Sequence, residues 1–485
     1  MPKINFEKYD SNGFYDEMFD FEGKVRQHYM LLKDGIQKMG WKKLSSLQYS
    51  TDRAQHSLGM TFNVYGDDQG IERILHLDII PRIIDGKDWD LLEAGLKQRV
   101  QALNLFINDI YNEQKVLKDK IIPKDLILSS STFLEQCVGL NPPETVWSHI
   151  TGTDLIRSDD GKFYVLEDNL RCPSGVSYML ENREILKQTF PEFFEQLNVR
   201  PVANYSHDLR DMLESLTPVS PVTIAILTPG IFNSAYFEHA YLAQQMGAEL
   251  VEGRDLVVKD DFVYMITTNG LQKVDIIYRR IDDDFLDPLV FRKDSLLGTP
   301  GLFNAYKKGN VILVNAPGTG VADDKAVFAY IPRIIKYYLG EEVLLPNVQT
   351  YICAEKEDYK YVIENIDKLV VKQTDASGGY GMIIGPKSTK KQQEEFLQKI
   401  KSNPRNYIAQ PMMNLSRVPT LTDDAIEGRH VDLRPYILCG KEIKIIPGAL
   451  TRVALKKGSL VVNSSQGGGS KDTWVLDKNQ GLNYA

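Results

Sequence analysis

Three oxygen-bearing side chains, Asp154, Glu167 and Asn169, lie within one short stretch of the sequence, residues 149–175. Two carboxylates and one amide oxygen form a ligand set made only of oxygen. Such a set suits Mg²⁺, because this ion takes a few carboxylates and fills its other positions with water or phosphate oxygens. The same residues also fit a solvated acidic hairpin that holds no ion. On this stretch alone, both interpretations stay open.

The spacing of these three residues, called the oxygen trio below, predicts a β-hairpin. Asp-Gly at 160–161 is a typical hairpin turn, and it separates two runs of β-forming residues, 149–156 and 162–167. Side chains two positions apart on a strand point to the same face, so the glutamate and the asparagine share one. Pairing of the two strands would bring the aspartate beside them.

A second candidate site lies far along the chain, where residues 369–385 read LVVKQTDASGGYGMIIG. Lys372 ends an apolar strand and is followed by a glycine-rich loop that contains Ser377, Gly378, Gly379 and Gly381. A strand lysine supplies a point charge, and glycines let backbone N–H groups approach closely. This combination is typical of a phosphate clamp.

Two further arginines and a short apolar strand follow. Residues 430–455 predict a strand hairpin with Arg434 on one strand and Arg452 on the continuation of the other, and both are candidates for holding a phosphoryl group. Residues 407–413, which include Gln410 and Met412, predict an apolar strand suited to lining an adenine slot.

Composition restricts the class of protein. The chain has 485 residues, so two or three domains are expected. A net charge of -8 argues against a general nucleic-acid binder but leaves room for a nucleotide held by a few basic groups. Four separated cysteines give no zinc or disulfide pattern. No signal peptide or run of ~18 apolar residues is visible, so we expect a cytoplasmic protein without a membrane partner.

Other segments are interpreted mainly as scaffold. Residues 88–112 predict an amphipathic helix with Asp88 as its N-cap. The loop at 65–70 fits either a surface turn or a binding loop. Residues 222–280 predict an α/β unit with buried parallel strands, and ligands of such sheets bind beyond the carboxyl ends of the strands.

Several residues are candidates for contact with a substrate. Arg171 lies two residues after the trio, where it could touch an anion or pair with a carboxylate. Arg279, Arg280 and Asp282 lie at the end of a predicted strand, although adjacent aspartates also fit a solvated cap. The tail contains Gly467 and Gly468, which fit a flexible linker or a turn that accepts a substrate carboxylate.

Taken together, these residues resemble the ATP-grasp ligases. The resemblance covers residues 149–175 and 311–454, and adds an Asp-Lys helix at Asp324-Lys325 and an Asp-Leu-Arg strand at 432–434. In ordinary ATP-grasp chains the metal strands come last, whereas here they come first. The chain therefore resembles the circularly permuted ATP-grasp family over nearly its full length. The segments that carry this resemblance are HLDIIPRI, LEDNLRCPSGVSYMLENR, IYRRIDDDFLDP and VNSSQGGGSKDTWVL.

The resemblance implies an α/β (α+β) fold, a circularly permuted ATP-grasp with a Rossmann-like pre-ATP-grasp domain. The expected regions are an N-terminal helical and mixed region at 1–148 and the metal-binding part of the ATP-grasp at 149–200. A pre-ATP-grasp α/β domain is expected at 201–310 and the nucleotide-binding domain at 311–455. The glycine-rich segment at 456–485 is expected to pack back on the core.

The resemblance also implies an ATP- and Mg²⁺-dependent ligase that joins a small-molecule carboxylate to an amine through an acyl phosphate. In this interpretation the oxygen trio binds the metal, while Lys325, Lys372 and the glycine loop bind the phosphates. Gln410 and Met412 line the adenine slot. Arg434 and Arg452 stabilise the transferring phosphoryl group. A carboxylate kinase on the same fold and a silent ATP-binding scaffold are the alternatives.

Overall fold

The computed structural model describes residues 4, 6, 9–11, 13–63, 72–375, 381–463 and 467–477. In these ranges no helix combines the length and the apolar character that are needed to cross a membrane. The predicted loop at 65–70 lies outside the described residues.

The helices differ widely in length. The helix at Gly86–Tyr111 begins after Asp85, whose side chain accepts a hydrogen bond of 2.8 Å from the Lys87 amide. The predicted cap, Asp88, lies in the first turn instead, because the helix starts two residues earlier than its apolar pattern. The α-helices are α1 (Met30–Ser57, interrupted at Gly40), α2 (Gly86–Tyr111), α3 (Lys115–Lys118), α4 (Lys124–Leu128), α5 (Val176–Thr189), α6 (Pro191–Leu197), α7 (Tyr205–Glu214), α8 (Tyr236–Met246), α9 (Asp283–Leu286), α10 (Leu302–Lys307), α11 (Lys325–Phe328), α12 (Ile331–Leu339), α13 (Lys356–Glu364) and α14 (Lys390–Ser402).

The strands are mostly short and belong to six sheets within the described part of the chain. They are β1 (Thr61–Asn63), β2 (Glu72–Ile74), β3 (Leu77–Ile84), β4 (Ile150–Arg157), β5 (Phe163–Asn169), β6 (Ile224–Leu227), β7 (Glu249–Val251), β8 (Leu256–Lys259), β9 (Phe262–Thr267), β10 (Gly270–Lys273), β11 (Ile276–Arg279), β12 (Ile312–Val314), β13 (Tyr351–Ile352), β14 (Leu369–Gln373), β15 (Met382–Ile384), β16 (Tyr407–Pro411), β17 (Arg417–Leu421), β18 (Ile426–His430), β19 (Arg434–Cys439), β20 (Ile443–Val453) and β21 (Gly469–Val475).

A six-stranded sheet in the order β3-β21-β20-β19-β4-β5 lies at the centre. β21 is antiparallel to β20 and parallel to β3. The last strand of the described chain therefore lies between a strand from the beginning of the sequence and a strand from near its end. This arrangement places the glycine-rich tail and the early strands in one sheet.

Alternating side chains of the central sheet enter two different hydrophobic clusters. On β19, Tyr436 and Leu438 belong to the cluster that contains residues of α1 and α5. Ile437, between them, belongs to the cluster that contains residues of α2 and α12. Since successive strand residues point to opposite faces, both faces of the central sheet are buried.

A second sheet, in the order β12-β11-β6-β7, is parallel throughout. All four residues of β6 are buried, which fits the continuous apolar run that predicts a strand covered on both faces. β12 at Ile312–Val314 belongs to this sheet, although the sequence assigned that segment to the next domain. The parallel layer therefore extends beyond residue 310.

A third sheet, in the order β13-β16-β14-β15, is antiparallel and has its own core. The core includes Val362 from α13 and Ile400 from α14, and both are fully buried. These two helices cover a small unit that spans 351–411 and carries Lys372 and Gln410. The unit presents these two polar residues on adjacent strands, β14 and β16.

Candidate active site

The oxygen trio lies on the hairpin formed by β4 and β5. Asp154 pairs directly with Glu167, and Gly152 pairs with Asn169. Residues opposite each other in an antiparallel pair project on the same side of the sheet, so the three side chains share one face. The Nδ2 atom of Asn169 is 3.5 Å from Oδ1 of Asp154. The structure therefore brings the three predicted residues together.

Arg434 and Arg452 lie beside the same aspartate. Arg434 donates from Nε and Nη2 to the two oxygens of Asp154 at 2.7 and 2.8 Å. Arg452 donates from Nη2 to Asp154 Oδ2 at 2.7 Å. These partners are 280 and 298 residues apart in sequence. The early hairpin and the late strands thus meet in one site.

The carboxylate of Asp154 is saturated by its donors. A carboxylate has about four lone-pair sites, and Asp154 receives three hydrogen bonds from arginines and a longer one from Asn169. Burial alone raises the pKa of Asp154, but the charges of Arg434 and Arg452 outweigh burial and hold that pKa well below its usual range. Asp154 is therefore a buried anion whose charge the arginines balance.

Glu167 and Asn169 keep oxygen atoms for another ligand. The Glu167 side chain is 30% exposed, and its nearest charged partner is Lys325, at 3.7 Å from Oε2. Asn169 directs its amide nitrogen toward Asp154, which leaves its oxygen for a cation. Considering only His, Cys, Asp and Glu, the described ranges contain no group of three arranged to hold a metal. The donor set that fits Mg²⁺ is thus one carboxylate and one amide, completed by phosphate or water oxygens.

A small cavity of about 30 Å³ lies next to these two residues. Its lining contains five carboxylates and two basic side chains, Arg171 and Lys325. Two of the carboxylates, Asp168 and Asp324, are paired with Arg99 and Arg405 outside the lining, which leaves a small excess of negative charge. An excess of negative charge in a confined space attracts cations. The electrostatics of the cavity therefore suit a metal ion that accompanies an anionic ligand.

The two predicted phosphate-binding lysines lie near this hairpin. Lys325 begins α11, which Asp324 caps by accepting from the Ala326 amide. Lys372 donates to Gln410 Oε1 at 2.7 Å. Burial lowers the pKa of Lys372, and its interaction with Glu167 partly offsets this effect. Because burial disfavours the charged ammonium group of Lys372, an anion that binds beside it stabilises this charge strongly.

Gln410 links the lysine to the neighbouring strand. Its Nε2 donates to Thr350 Oγ1 at 3.0 Å, and the residue is only 3% exposed. Met412, just beyond β16, is 36% exposed. Of the predicted adenine-slot pair, one residue is thus fixed as a hydrogen-bond partner of Lys372 and the other presents apolar surface.

The predicted glycine loop is described only at its end. Ser377, Gly378 and Gly379 lie outside the described residues, while Gly381 has φ of +67°. This φ lies in the left-handed region that favours glycine, and a Cβ atom there would lie 1.9 Å from Gln373 Oε1, the end of a flexible side chain. The loop therefore enters β15 through a backbone conformation that favours glycine.

The candidate substrate arginines are engaged by the protein. Arg171 donates to Asp323 Oδ2 at 2.9 Å and lies 3.6 Å from Asp282 Oδ1. Arg279 is fully buried and donates to the carbonyl oxygens of residues 281, 315 and 316. Arg280 is 4% exposed and bonds to the Pro173 carbonyl and to Glu238. Arg280 thus holds the loop after β5 against the parallel sheet, and the internal contacts of both arginines argue against direct substrate contact.

The glycine-rich tail lies beside the arginine strand. Gly469 pairs with Val453, next to Arg452. Gly467 has φ of +87°, and a Cβ atom there would meet no described residue within 4 Å, whereas one at Gly468 would lie 2.1 Å from the Val462 carbonyl oxygen. The chain is therefore closely packed at Gly468, where it enters β21.

Sequence reasoning missed several polar residues around the site. Asp323 accepts from the Leu170 amide at 2.6 Å as well as from Arg171. Arg405 donates to Asp324 at 2.6 Å, and Ser131 donates to Asp375 at 3.2 Å. Asp323 directly precedes the Asp-Lys helix motif, which could have indicated it. Ser131 and Arg405 belong to no recognisable motif.

Comparison with known proteins places these features in a family. Residues 81–454 match a family model described as circularly permuted ATP-grasp type 2. An uncharacterized protein of Synechocystis sp. is 57% identical over 477 residues, which cover 98% of this chain and 99% of that protein.

Two other similarities are more distant. A protein of Frankia casuarinae named putative glutamate–cysteine ligase 2-2 is 39% identical over 475 residues, which cover 97% of this chain but only 54% of that protein. A glutathione synthetase-like effector from Globodera pallida, solved in the apo form, has a TM-score of 0.58 at 10% identity, with coverage of 89% of this chain and 96% of that chain. The latter similarity concerns the fold alone.

Proposed function

This chain belongs to the circularly permuted ATP-grasp family, type 2, and we propose that it is an ATP- and Mg²⁺-dependent carboxylate–amine ligase. The proposed reaction has two steps. The substrate carboxylate attacks the γ-phosphorus of ATP and yields an acyl phosphate and ADP. The amine then attacks the acyl carbon, phosphate leaves, and an amide or peptide bond forms.

The observation that carries this proposal is the meeting of oxygen donors and basic groups from opposite ends of the chain. Glu167 and Asn169 lie on the hairpin, Arg434 and Arg452 contact Asp154 on the same hairpin, and Lys325 lies 3.7 Å from Glu167. Phosphoryl transfer needs alignment and neutralisation of charge more than covalent help from the protein. A site with these groups on one face supplies both.

Glu167 and Asn169 are the residues proposed to hold Mg²⁺. When bound, the ion neutralises charge on the β- and γ-phosphates. The sequence also suggested Asp154 as a ligand, but its four acceptor positions are directed at Arg434, Arg452 and Asn169. A cation on Asp154 would have to displace one of these donors.

The basic residues are assigned to the phosphate chain. Lys325 and Lys372 bind the phosphates, and the loop at 377–381 covers them and excludes water from the acyl phosphate. Arg434 and Arg452 stabilise the transferring phosphoryl group, because each carries a fixed positive charge in a largely buried setting.

The adenine and the acceptor complete the assignment. Gln410 and Met412 border the adenine, and the turn at 467–468 is assigned to a substrate carboxylate because it leads directly into β21, which pairs with the strand that carries Arg452. Arg171 is kept as a residue that approaches the acceptor, since its side chain is 28% exposed. The parallel sheet is assigned as the pre-ATP-grasp domain.

The test is ADP release from ATP and Mg²⁺ in the presence of pooled carboxylates, with and without pooled amino acids and polyamines. The proposal expects release that depends on both an added carboxylate and an added amine, together with an amide product by mass spectrometry. The Frankia relative's name makes glutamate and cysteine the first individual substrates to try.

The outcomes separate the alternatives. Release that needs a carboxylate but no amine would identify a carboxylate kinase instead. Binding of ATP without turnover under any pool would favour a scaffold and overturn the ligase. Glu167→Gln, which weakens a proposed metal ligand, serves as the control with reduced activity at low Mg²⁺, and Glu395→Gln, on the exposed side of α14, serves as the matched variant outside the site.

A further inference from the structure

The two lysines assigned to the phosphates come from separate parts of the fold but act on each other. Lys325 begins α11, whereas Lys372 lies on β14 of the small unit that spans 351–411. Burial lowers the pKa of Lys372, the charge of Glu167 raises it, and the charge of Lys325 lowers it further. Because two like charges repel each other, other contacts are needed to hold these elements together.

A buried aspartate next to Lys325 supplies one such contact. Asp324 is 1% exposed, and its Oδ2 accepts a hydrogen bond of 2.6 Å from Nη2 of Arg405. The same carboxylate accepts from the hydroxyl of Ser130 at 2.7 Å and from the Ala326 amide at 2.9 Å. Asp324 is therefore joined at once to its own helix, to the small unit and to the N-terminal region.

Arg405 extends this contact to the strand that carries Lys372. Nη1 of Arg405 donates to Oγ1 of Thr374 at 3.3 Å, and Nη2 also donates to the Leu126 carbonyl oxygen at 2.7 Å. Thr374 directly follows β14, two residues after Lys372, and its amide donates to the Asn406 carbonyl oxygen at 3.1 Å. The guanidinium thus connects Asp324 to the end of β14.

The backbone makes the same connection a second time. The amide of Lys325 donates to the carbonyl oxygen of Thr374 at 3.1 Å. Asp324, Lys325 and Thr374 all line the cavity of about 30 Å³ that Glu167 and Asn169 also line. The joint between α11 and β14 therefore lies at the edge of the candidate site.

We propose that Asp324 and Arg405 form a positioning pair that sets the separation of Lys325 and Lys372, so that both ammonium groups meet one polyphosphate. The role of the pair rests on the proposed function, because it concerns the same nucleotide site. Neither member of the pair has to touch the nucleotide. Each acts through its neighbours: Asp324 directly precedes Lys325, and Arg405 holds Thr374.

The burial of the pair is the physical reason for this role. The Asp324 side chain is 1% exposed and the Arg405 side chain 21%, so water and salt screen this pair less than a surface pair. A phosphate chain gains most from two positive charges that are already in place, since binding does not then have to order them. If the pair is lost, repulsion between the lysines is free to separate the elements that carry them.

The test compares Arg405→Met and Asp324→Asn with the wild-type protein. Asp324→Asn keeps an oxygen that can cap α11 but removes the charge. Affinities are measured for a non-hydrolysable ATP analogue by isothermal titration calorimetry and for adenosine, which has no phosphate, by ligand-observed NMR. Both variants should weaken binding of the analogue about tenfold, which corresponds to one charge-assisted hydrogen bond. Adenosine affinity should stay within about twofold of wild type.

A double variant tests whether the pair acts through the lysines. If Arg405 positions Lys372 relative to Lys325, adding Lys372→Met to Arg405→Met should weaken analogue binding less than Lys372→Met does in the wild type. Full additivity of the two losses would contradict a positioning role.

Arg200→Met is the matched control. Arg200 pairs with Asp90 outside the candidate site at 3.3 Å, and its side chain is 17% exposed, close to the value for Arg405. This control should leave both affinities unchanged. If Arg405→Met does not fold, Arg405→Lys, which keeps a positive charge but loses the planar fork, is compared in the same way.

Two results would overturn the positioning role. One is an unchanged analogue affinity in both variants, and the other is an equal loss of analogue and adenosine affinity, which indicates general destabilisation. A wild-type protein that binds no ATP analogue would overturn the nucleotide site and the pair together. If the variants behave as expected but no amide is formed, the pair stands and the ligase proposal fails, because binding of the analogue requires no turnover.

Discussion

Lys471, in the last strand of the described chain, donates a hydrogen bond to Asp78 in β3, 393 residues earlier, and neither side chain has any exposed surface. The ammonium also donates to the carbonyl oxygens of Ile80 at 2.9 Å and Pro419 at 2.8 Å. All three donors of Lys471 are therefore used, and they join β21 to β3 and to β17.

Lys471→Met should destabilise the protein by about 3–5 kcal/mol, because it leaves the buried Asp78 charge without its partner. Urea unfolding followed by tryptophan fluorescence measures the change. Lys456→Met, at an exposed position, is the matched control and should change the unfolding free energy by less than about 0.5 kcal/mol. Equal midpoints for the two variants would show that the buried pair adds nothing.

Lys372→Met should weaken binding of a non-hydrolysable ATP analogue about tenfold to a hundredfold, since it removes a positive charge from a largely buried position that faces Glu167 and Lys325. Isothermal titration calorimetry measures this affinity. Lys368→Met, exposed on the same small unit, should bind like wild type. An unchanged affinity in Lys372→Met would remove this residue from the phosphate site.

Glu167→Gln should raise the Mg²⁺ concentration that half-saturates ADP release at least tenfold, because a neutral amide oxygen binds a hard cation less tightly than a carboxylate does. Titration of Mg²⁺ at fixed ATP gives this value. If the half-saturating concentration stays the same while kcat falls, Glu167 acts in chemistry rather than in holding the ion.

His149→Leu should change how stability depends on pH. Neither ring nitrogen of this fully buried histidine has a hydrogen-bond partner among the described residues, and burial lowers its pKa from 6.5 to about 3. Below pH 6.5, the ordinary pKa that His149 has in the unfolded chain, this histidine takes up a proton in the unfolded chain but not in the folded one. The contribution of His149 to stability is therefore present above pH 6.5 and is lost as pH falls toward 3.

The measurement is urea unfolding of both proteins at pH 7.5 and pH 5. Between these two conditions the wild type should lose about 2 kcal/mol more than His149→Leu. A parallel pH dependence in the two proteins would mean that His149 is protonated, or partnered, in the folded state.

The parts of the site that local pattern determines were predictable. Asp-Gly between β-forming runs and the two-residue spacing of Glu167 and Asn169 predict the hairpin and its shared face, because strand geometry alone fixes them. The apolar runs around Lys372 and Arg434 likewise place both residues on strands. The family is confirmed by the match over residues 81–454.

The partners of the charged residues were not predictable. Asp154 looks like a metal ligand in sequence, yet its oxygens meet two arginines almost 300 positions away. Arg280 looks like a substrate contact at a strand end, yet it pairs with Glu238 in α8. Such pairings depend on how sheets and helices pack in three dimensions, and no local spacing encodes that packing.

The order of the strands has a consequence for synthesis on the ribosome. The hairpin with Asp154 leaves the ribosome before Arg434, Arg452 and β21, since the two arginines lie 280 and 298 residues further along the chain and β21 follows them. A nascent chain that stops before residue 434 carries the acidic hairpin without the guanidinium groups that balance its charge. Such a fragment cannot bring the carboxylates and the guanidinium groups together, so the candidate site forms only after these later strands have been made.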